Sequence, residues 1–328
     1  MTQIQITDIS CIVIARNEAF GIERSLAALT AMPLRDCQIV CVDSNSSDET
    51  RAIMERYAQQ YPELVEVYGC SGYTNAAIAR NVGMAHARKA ILLFLDGDVE
   101  PNAPFLTAAT EMIRSGRAAM VCGSLREIRY APGFRTVIEE VSARLPVREE
   151  RHIYFSGGIF MVAAEVARQV GMWDEGLIIN EDFDYTLRIS RLSRCMVLPL
   201  SMGTHHTLAE NYTARAWQHL LQGYPMFYGE VLRRHWMTNF PGVVSLLSRE
   251  AVGKSGGFFL MLLAGGLATA FSFSTPWWWG GLPALAFFFV DMTRSARSGR
   301  NLLSRLIINY AYAPLVVAGL LIRPRRRT

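Results

Sequence analysis

Residues 91–98 read ILLFLDGD, an uninterrupted apolar run that ends on two aspartates separated by one glycine. Similar apolar runs occur at Ile9–Ala15, Gln38–Asp43 and Leu64–Tyr68, and none of them alternates strictly between apolar and polar residues. Strands with this pattern are buried on both faces, which is typical of a parallel sheet. The four runs therefore predict neighbouring strands of such a sheet.

Amphipathic stretches at Ala19–Leu29, Asp48–Gln60 and Asn75–Ala87 separate these runs and predict helices. Ser46, three residues before Glu49, has the spacing of a capping box at the start of the second helix. Strands that alternate with helices predict an α/β fold, in which helices cover both faces of a mostly parallel sheet. In such sheets, ligands bind beyond the carboxyl ends of the strands.

Three of the predicted strands end in polar residues, namely Arg16-Asn17-Glu18, Asp43-Ser44-Asn45-Ser46 and Asp96-Gly97-Asp98. No Gly-x-Gly-x-x-Gly follows the first strand and no Gly-x-x-x-x-Gly-Lys-Ser/Thr occurs, which argues against a dinucleotide fold and a phosphate-loop NTPase. Asp96 and Asp98 could share a divalent cation and a sugar hydroxyl, since Mg²⁺ and Mn²⁺ prefer oxygen ligands. The same tripeptide also occurs in ordinary turns, so both interpretations stay open at this point.

The length of 328 residues is enough for about two domains. Hydrophobic residues make up 51% and charged residues 19% of the chain, which excludes a disordered protein. The net charge of +4 is uneven, because eight arginines and no lysine or acidic residue follow Asp291, whereas 25 basic and 29 acidic residues precede them. A nucleic-acid binder would spread basic side chains over its folded surface. We therefore expect no nucleic-acid partner.

The six cysteines show no Cys-x-x-Cys pair and no zinc-type spacing, which favours a reducing compartment. The first ten residues lack a basic segment followed by a long apolar stretch, so no secretory signal peptide is expected. The N-terminal part is therefore expected to stay in the cytosol.

Uncharged stretches at 255–290 and Leu306–Ile322 predict membrane-associated helices, because a spanning helix needs about 20 apolar residues and flanking arginines mark cytosolic ends. Residues 210–254 have aromatic residues at helical spacing and predict amphipathic helices, which either lie on a bilayer or pack on the preceding domain. We expect a cytosolic domain over 1–209, interface helices over 210–254 and hydrophobic helices with an arginine-rich end over 255–328.

Five segments resemble the inverting nucleotide-sugar glycosyltransferases of family 2, which have the GT-A fold. In order, they are CIVIARNE (11–18), IVCVDSNSSDET (39–50), ARNVGMAHARKAILLFLDGD (79–98), SGGIFMV (156–162) and VGMWDEGLIINEDFDYTLR (170–188). The resemblance runs from about Ser10 to His206, or about three-fifths of the chain. It implies a GT-A fold, a mostly parallel Rossmann-like sheet with helices on both faces.

The resemblance implies a nucleotide and donor site made of Asn17, Glu18, Asp43, Ser44, Arg80 and Asp96. Asp43 would accept the imino N–H of the base, which favours uracil, thymine or guanine; its alternative role is a turn or helix cap. Arg80 would lie against the base or the diphosphate, and its alternative is a surface helix arginine. Asp96 would hold the ribose hydroxyls.

The resemblance also implies that Asp98 binds Mn²⁺ or Mg²⁺, which bridges the two phosphates of the donor. His205 or His206 would complete the coordination, and the alternative is a structural or acceptor-side pair of histidines. Adjacent side chains on a strand point to opposite faces, so only one of the two can reach the ion.

On the acceptor side, the resemblance implies that Asp182 is the general base, with Glu181 holding it in position or touching the acceptor. Trp173, Asp174 and Arg188 are expected to lie beside the acceptor. Acidic residues at a helix start also have a purely structural explanation, since they complement the helix dipole.

We therefore expect a membrane-associated, inverting and metal-dependent glycosyltransferase that transfers a sugar from a nucleoside diphosphate, with UDP favoured, to a lipid-linked saccharide in polysaccharide or glycan biosynthesis. Its catalytic domain would face the cytosol at the cytoplasmic membrane. The Gln-x-x-Arg-Trp sequence of processive synthases is missing, which favours one sugar per encounter. The alternatives are a polyprenyl-phosphate glycosyltransferase, a non-catalytic membrane scaffold that retains the fold and, more distantly, a metal-dependent hydrolase.

Overall fold

The computed structural model describes residues 6–143, 146–209, 212–249 and 312–324. The chain divides into two compact units after Ala209. Strands of the first unit are β1 (Ile6–Thr7), β2 (Ile9–Ala15), β3 (Leu34–Arg35), β4 (Gln38–Asp43), β5 (Val65–Gly69), β6 (Ile91–Asp96), β7 (Val99–Pro101), β8 (Met120–Tyr130), β9 (Val137–Val141), β10 (Arg151–His152), β11 (Phe160–Ala163) and β12 (Cys195–Leu208). Its helices are α1 (Ala19–Ala31), α2 (Thr50–Gln60), α3 (Ala76–His86), α4 (Ala103–Arg114), α5 (Ala164–Val170) and α6 (Glu181–Leu192).

A ten-stranded sheet forms the centre of this unit, in the order β10-β12-β8-β11-β6-β2-β4-β5, with β7 beside β12 and β9 beside β8. Strands β6, β2, β4 and β5 are parallel to one another. Strand β11 lies antiparallel between β6 and β8. The predicted α/β fold is confirmed, but the sheet is mixed and not mostly parallel, because five of its nine strand pairs are antiparallel.

The first strands are buried along their whole length, as their continuous apolar runs require. Every residue of β2 and β4 is buried, and the bounds of β2, β4 and β6 match the predicted ones. The polar residues that follow these three strands therefore lie at one edge of the sheet, because parallel strands end on the same side. This edge holds the candidate site.

The predicted capping box at Ser46 is wrong. Helix α2 begins at Thr50, and its N-cap residue Glu49 makes no side-chain cap bond. The Ser46 hydroxyl instead accepts a hydrogen bond from the Asn17 backbone N–H at 3.0 Å. Because this contact joins two loops 29 residues apart, local spacing could not reveal it.

Helix α1 passes directly behind the turn that follows β6. A Cβ at Gly21 would lie 2.6 Å from the Asp98 Cα, so only glycine permits this approach. The Gly97 N–H donates to the Ile14 carbonyl at 2.8 Å, which attaches the turn to the end of β2. The position of Asp98 is thus fixed by its neighbours on two sides.

The described residues of the second unit form α7 (Tyr212–Leu221), α8 (Pro225–His235), α9 (Phe240–Arg249) and the helix Tyr312–Leu321. The Tyr312 hydroxyl donates to the Ala216 carbonyl at 2.9 Å. Within the parts of the chain that the structure describes, no helix has the length and apolar character needed to cross a membrane. The predicted membrane segment 255–290 and residues 306–311 of the second stretch lie outside the described residues.

Candidate active site

The loops after β2 and β4 are joined by hydrogen bonds between their side chains and backbones. Asn17 adopts a left-handed backbone conformation with φ of 57°, and its Oδ1 accepts from the Ser47 N–H at 2.7 Å. The Glu18 N–H donates to the Thr50 hydroxyl at 2.8 Å. The two loops therefore form one continuous wall at the carboxyl edge of the sheet.

Asp43 and Ser44 are buried at the end of β4. The Asp43 carboxylate accepts a hydrogen bond from the Ser46 N–H at 3.2 Å, as a turn residue does. The Ser44 N–H donates to the Ala15 carbonyl at 2.9 Å. The structure thus gives Asp43 the turn contact that the sequence offered as its alternative role, at the position expected for the donor base.

Asp98 and His205 face each other across the end of the sheet. The Nε2 atom of His205 lies 2.8 Å from Asp98 Oδ2, because β12 pairs with β7 in a register that opposes His205 to Val99. The nearby Glu18 carboxyl has its pKa raised to about 7 by burial and by the charge of Asp98, with His205 acting in the opposite direction. Carboxyl groups are therefore concentrated around Asp98 and Glu18 at the carboxyl edge of the sheet.

The His206 backbone N–H donates to the Asp98 carbonyl at 2.9 Å, but its ring contacts other residues, so its expected role as a metal ligand is corrected. Its Nδ1 lies 3.0 Å from the Tyr130 hydroxyl and its Nε2 lies 3.2 Å from Glu100 Oε2. The ring is 6% exposed, and burial lowers its pKa despite the hydrogen bond with Glu100. His205 and His206 point to opposite sides of the strand, as their adjacency requires.

The donor set at Asp98 and His205 is compatible with a divalent cation. A carboxylate oxygen and an imidazole nitrogen are ligands that Mn²⁺ accepts, and two protein ligands leave positions for phosphate oxygens. Among the described residues, no group of three or more His, Cys, Asp and Glu side chains is arranged to hold a metal. Any cation here would need oxygen atoms from a ligand.

Arg80 joins the strand that carries the Asp-Gly-Asp turn to the helix that carries the Glu-Asp pair. Its Nη2 donates to Asp96 Oδ1 at 2.9 Å, and its Nη1 donates to Glu181 Oε1 at 2.8 Å. The side chain is only 4% exposed. Arg80 is therefore not the surface arginine of the alternative interpretation, but part of a buried ion-pair network.

Asp182 occupies the first turn of α6, where Asn180 precedes the helix in a left-handed conformation with φ of 64°. One of its carboxylate oxygens accepts from the Phe183 N–H at 2.8 Å. Burial and the neighbouring Glu181 raise the pKa of Asp182 to about 8, while the Arg80 guanidinium lowers it. Such a carboxyl has the proton affinity that a general base near neutral pH requires.

Trp173 and Arg188, which were expected on the acceptor side, make structural contacts, and their contact with an acceptor stays a prediction. Trp173 is 2% exposed and stacks on Tyr185 with ring centroids 4.1 Å apart. Arg188 donates to Asp184 Oδ2 at 3.0 Å and to the Val170 carbonyl at 3.1 Å. Trp173 also borders the carboxylate cluster, because the Arg80 guanidinium lies 4.7 Å from the centre of its ring.

Asp174, the third expected acceptor-side residue, stabilises a turn. Its Oδ1 accepts from the Gly176 N–H at 2.8 Å. This contact fixes the loop between α5 and α6, so the structure gives Asp174 a local role and does not test contact with an acceptor.

We predict that Trp173→Ala lowers the free energy of unfolding by about 3–5 kcal/mol, because it removes a fully buried aromatic side chain from a packed cluster. Urea denaturation at one pH measures this loss. If Trp173 instead touched the acceptor, its removal would raise the acceptor KM and leave the urea midpoint unchanged.

Two residues of this site were missed by the sequence analysis. Asn81, next to Arg80, donates to the Trp173 carbonyl and to Glu175 Oε1 at 3.0 and 2.9 Å. Gly158 packs on the Arg80 guanidinium, since a Cβ there would lie 2.2 Å from Nη2. Both residues lie in the segments ARN and SGG, but their partners are far away in the chain, and Asn81 and Trp173 are separated by 92 residues.

Comparison with known proteins gives a family match for the first part of the chain. Residues 10–170 match the model of the family described as Glycosyl transferase family 2. The match includes Asp43, Arg80, Asp96 and Asp98, ends before Glu181, Asp182 and His205, and supports a family 2 glycosyltransferase.

Curated relatives of this glycosyltransferase domain are themselves named as glycosyltransferases. Glycosyltransferase AglE of Haloferax volcanii is 29% identical over 187 residues, which cover 55% of this chain and 60% of that protein. Probable glycosyltransferase YdaM of Bacillus subtilis is 23% identical, covering 57% and 48%. N-acetylgalactosaminyltransferase 6 of Drosophila melanogaster is 26% identical, covering 55% and 31%. The chain spans between about a third and three-fifths of the length of these relatives.

Solved glycosyltransferase structures share the GT-A-like fold. The mannosyltransferase PcManGT from Pyrobaculum calidifontis, in complex with GDP-Man and Mn²⁺, has a TM-score of 0.60 and 17% identity, covering 97% of this chain and 88% of that chain. GalNAc-T7 with UDP, GalNAc and Mn²⁺ has a TM-score of 0.52 and 18% identity, covering 62% and 44%. At these identities the similarity shows the fold alone.

Proposed function

We propose that the protein is an inverting, metal-dependent glycosyltransferase that moves a sugar from a nucleoside diphosphate, UDP in the first instance, to a lipid-linked saccharide. The observation that carries the proposal is the buried Arg80, which joins Asp96 to Glu181 and so brings the Asp-Gly-Asp turn and the Glu-Asp pair into one site. The family of residues 10–170 supports it, as do fold neighbours solved with UDP or GDP-Man and Mn²⁺.

In this proposal, the wall formed by the loops after β2 and β4 binds the nucleotide. Asn17, Glu18, Asp43 and Ser44 line its base and ribose side, and Asp96 accepts hydrogen bonds from the ribose hydroxyls. Asp43 selects a base with an imino N–H, because a carboxylate only accepts hydrogen bonds.

Transfer requires one displacement at the anomeric carbon of the donor sugar. The acceptor hydroxyl oxygen forms the new bond as the bond to the diphosphate breaks, and the electron pair leaves with the diphosphate. Asp182 takes the proton of the acceptor hydroxyl, and Glu181 and Arg80 hold that carboxylate in place. A single displacement inverts the anomeric configuration.

The leaving diphosphate carries negative charge that needs a countercharge in the transition state. Asp98 and His205 would hold the divalent cation that supplies it, Mn²⁺ or Mg²⁺. Glu18 adds a further carboxyl to this corner, whose raised pKa reflects its burial beside Asp98.

We predict that kcat/KM falls as the pH is lowered through the raised pKa of Asp182. Only the ionised carboxylate accepts a proton, so the rate drops about tenfold per pH unit on the acidic side. The midpoint of this fall in kcat/KM lies well above pH ~5, which is the upper end of the pKa range of ordinary aspartates. Initial rates across the range from weakly acidic to alkaline pH, with donor well below KM, measure the profile, and a flat profile down to the acidic end would contradict the role of Asp182.

A paired histidine comparison tests the metal site. We predict that His205→Ala weakens Mn²⁺-dependent nucleotide binding by about 10- to 100-fold, because the imidazole beside Asp98 is lost. His206→Ala should leave that Mn²⁺ dependence in place, since its ring contacts Tyr130 and Glu100. Titration of UDP into each protein with and without Mn²⁺ measures both affinities; equal weakening in the two variants would contradict the assignment.

The lipid-linked acceptor and the membrane association rest on the uncharged sequence 255–290 and on the arginines that follow it from Arg294 onwards. Membrane attachment would concentrate enzyme and acceptor in one plane at the cytosolic face of the cytoplasmic membrane.

The test supplies a panel of UDP-sugars and GDP-sugars with either a polyprenyl-diphosphate-linked saccharide or a polyprenyl phosphate. Transfer to the saccharide, with the product anomer inverted relative to the donor by NMR, supports the proposal. Transfer only to the phosphate, retained in Asp182→Asn, would assign the polyprenyl-phosphate alternative instead. No transfer and no nucleotide binding would favour a scaffold, and release of free sugar at the rate of transfer would favour a hydrolase.

A further inference from the structure

Helix α3 holds the acceptor-side loop and the start of α6 through a row of polar contacts. Asn75 donates to the Glu175 carbonyl at 2.8 Å, and Asn81 bonds both the N–H and the carbonyl of Trp173. Arg80 extends the row to Glu181, and its guanidinium lies 4.7 Å from the centre of the Trp173 ring. One helix therefore determines where the Glu-Asp pair lies.

The same arginine is anchored on the donor side of the site. Its Nη2 contacts Asp96 at 2.9 Å, at the end of β6. A guanidinium presents its donors in a rigid fork, so its two contacts fix the positions of both carboxylates relative to each other. A lysine has a single ammonium and could not reproduce this arrangement.

Gly158 provides the space that the guanidinium occupies. A Cβ at this position would lie 2.2 Å from Nη2 and 3.0 Å from Cζ of Arg80. Because Arg80 is buried and paired on both sides, it has little room to move away. An alanine in place of this glycine would therefore displace Arg80 without changing any charge.

We propose that Arg80 is a positioning residue that fixes the Glu181–Asp182 pair relative to Asp96, and that Gly158 keeps its guanidinium in place. This inference rests on the proposed function and adds a connection between the two halves of the site. Arg80 acts through the carboxylates and need not touch the sugar or the acceptor.

The electrostatics of Asp182 are consistent with this role. Burial is the largest cause of the raised pKa of Asp182; among its neighbours, Glu181 and Asp96 raise that pKa further, and Arg80 and the Phe183 N–H lower it. Arg80 is the cation of this set. Its removal should raise the pKa of Asp182 further, because two negative neighbours would remain without their counterion.

A stability cycle tests the inference without any nucleotide. Four proteins are compared by thermal unfolding from acidic to alkaline pH: the wild type, Asp182→Asn, Arg80→Gln and the double variant. A carboxyl whose pKa is raised on folding loses stability as the pH rises from its unfolded value to its folded value, and the loss is constant above that. Two Tm differences are measured: wild type against Asp182→Asn, and Arg80→Gln against the double variant. Each difference widens as the pH rises and stops widening at the pKa of Asp182 in the folded protein. We call that pH the end point.

We expect this widening to end at least about one pH unit higher in the Arg80→Gln background than in the wild type. Gly158→Ala, with Arg80 present, should shift the end point in the same direction and lower kcat by about tenfold or more. An unchanged end point in both Arg80→Gln and Gly158→Ala would overturn the inference. If Arg80→Gln does not fold, Arg80→Lys and Gly158→Ala decide it by the same criterion.

Arg188→Lys is the matched control, because Arg188 also pairs with a buried carboxylate of α6 and lies 4.9 Å from the Tyr185 ring. Arg188→Lys should lower Tm without changing the pH at which the Asp182-dependent Tm difference stops widening. A change in that pH as large as the one caused by Arg80→Gln would also overturn the inference. Lack of nucleotide binding by the wild type would count against the proposed function, whereas the stability cycle counts only for or against Arg80.

Discussion

Replacing Asp182 with asparagine is expected to lower kcat for sugar transfer by about 10²–10⁴-fold, the usual contribution of a general base. Asparagine keeps the size of the side chain and the hydrogen bond from the Phe183 N–H, but cannot accept the acceptor's proton. Nucleotide affinity should be unchanged, because Asp182 is assigned to the acceptor side. Initial rates at saturating donor, together with a UDP titration, measure the two quantities separately.

The protein itself should be no less stable after this change. Burial raises the pKa of Asp182, so the native state loses stability as the pH rises towards about 8, and asparagine removes that loss. Asp184→Asn is the matched control, since Asp184 lies in the same helical turn and pairs with Arg188. Asp184→Asn should lower Tm and leave kcat within a few-fold of wild type. Near-normal sugar transfer by Asp182→Asn would refute the assignment of Asp182 as the general base.

Asp98→Ala is expected to abolish the Mn²⁺ dependence of nucleotide binding and to lower transfer by about 10²–10³-fold. Asp98 is the carboxylate that His205 faces at 2.8 Å, and without it the site would lose the carboxylate that would hold the cation. Calorimetric titration of UDP with and without Mn²⁺ measures the change. Residual binding should resemble that of the wild type in EDTA.

Glu100→Gln provides the control for this second variant. Glu100 lies two residues beyond Asp98, and its carboxylate contacts His206 instead of His205. Its replacement should leave the Mn²⁺-dependent affinity within a few-fold of wild type. Loss of that affinity in both variants would show that the acidic turn is needed for folding and not for binding a cation.

The bounds of three parallel strands followed directly from sequence, whereas β5, predicted at Leu64–Tyr68, lies one residue later at Val65–Gly69. Ile9–Ala15, Gln38–Asp43 and Ile91–Asp96 are continuous apolar runs with polar residues at one end, and burial on both faces leaves no other place for them. Strand β11 could not be predicted in the same way. Its four residues lie antiparallel between β6 and β8, an arrangement set by partners far away in the chain.

Among the site residues, too, those placed by local sequence could be predicted, and those placed by distant partners could not. Asp96, Asp98 and Asp182 are found at strand and helix ends where motifs place them. The stacking of Trp173 on Tyr185 and Phe160 could not be predicted, because its place beside an acidic motif is local information whereas the stacking is tertiary. The choice between His205 and His206 depended on the register of β12 with β7, which no spacing encodes.

The most direct test of the central claim is thermal unfolding of the wild type with UDP, dTDP, GDP, ADP and CDP, each with and without Mn²⁺. A ligand that binds only the native state at about a hundred times its Kd adds about 2.7 kcal/mol to stability. We predict a Tm increase that requires Mn²⁺ and appears with one or more of UDP, dTDP and GDP, whose bases carry an imino N–H for Asp43. No shift with any nucleotide, or equal shifts with all five in the absence of metal, would contradict it.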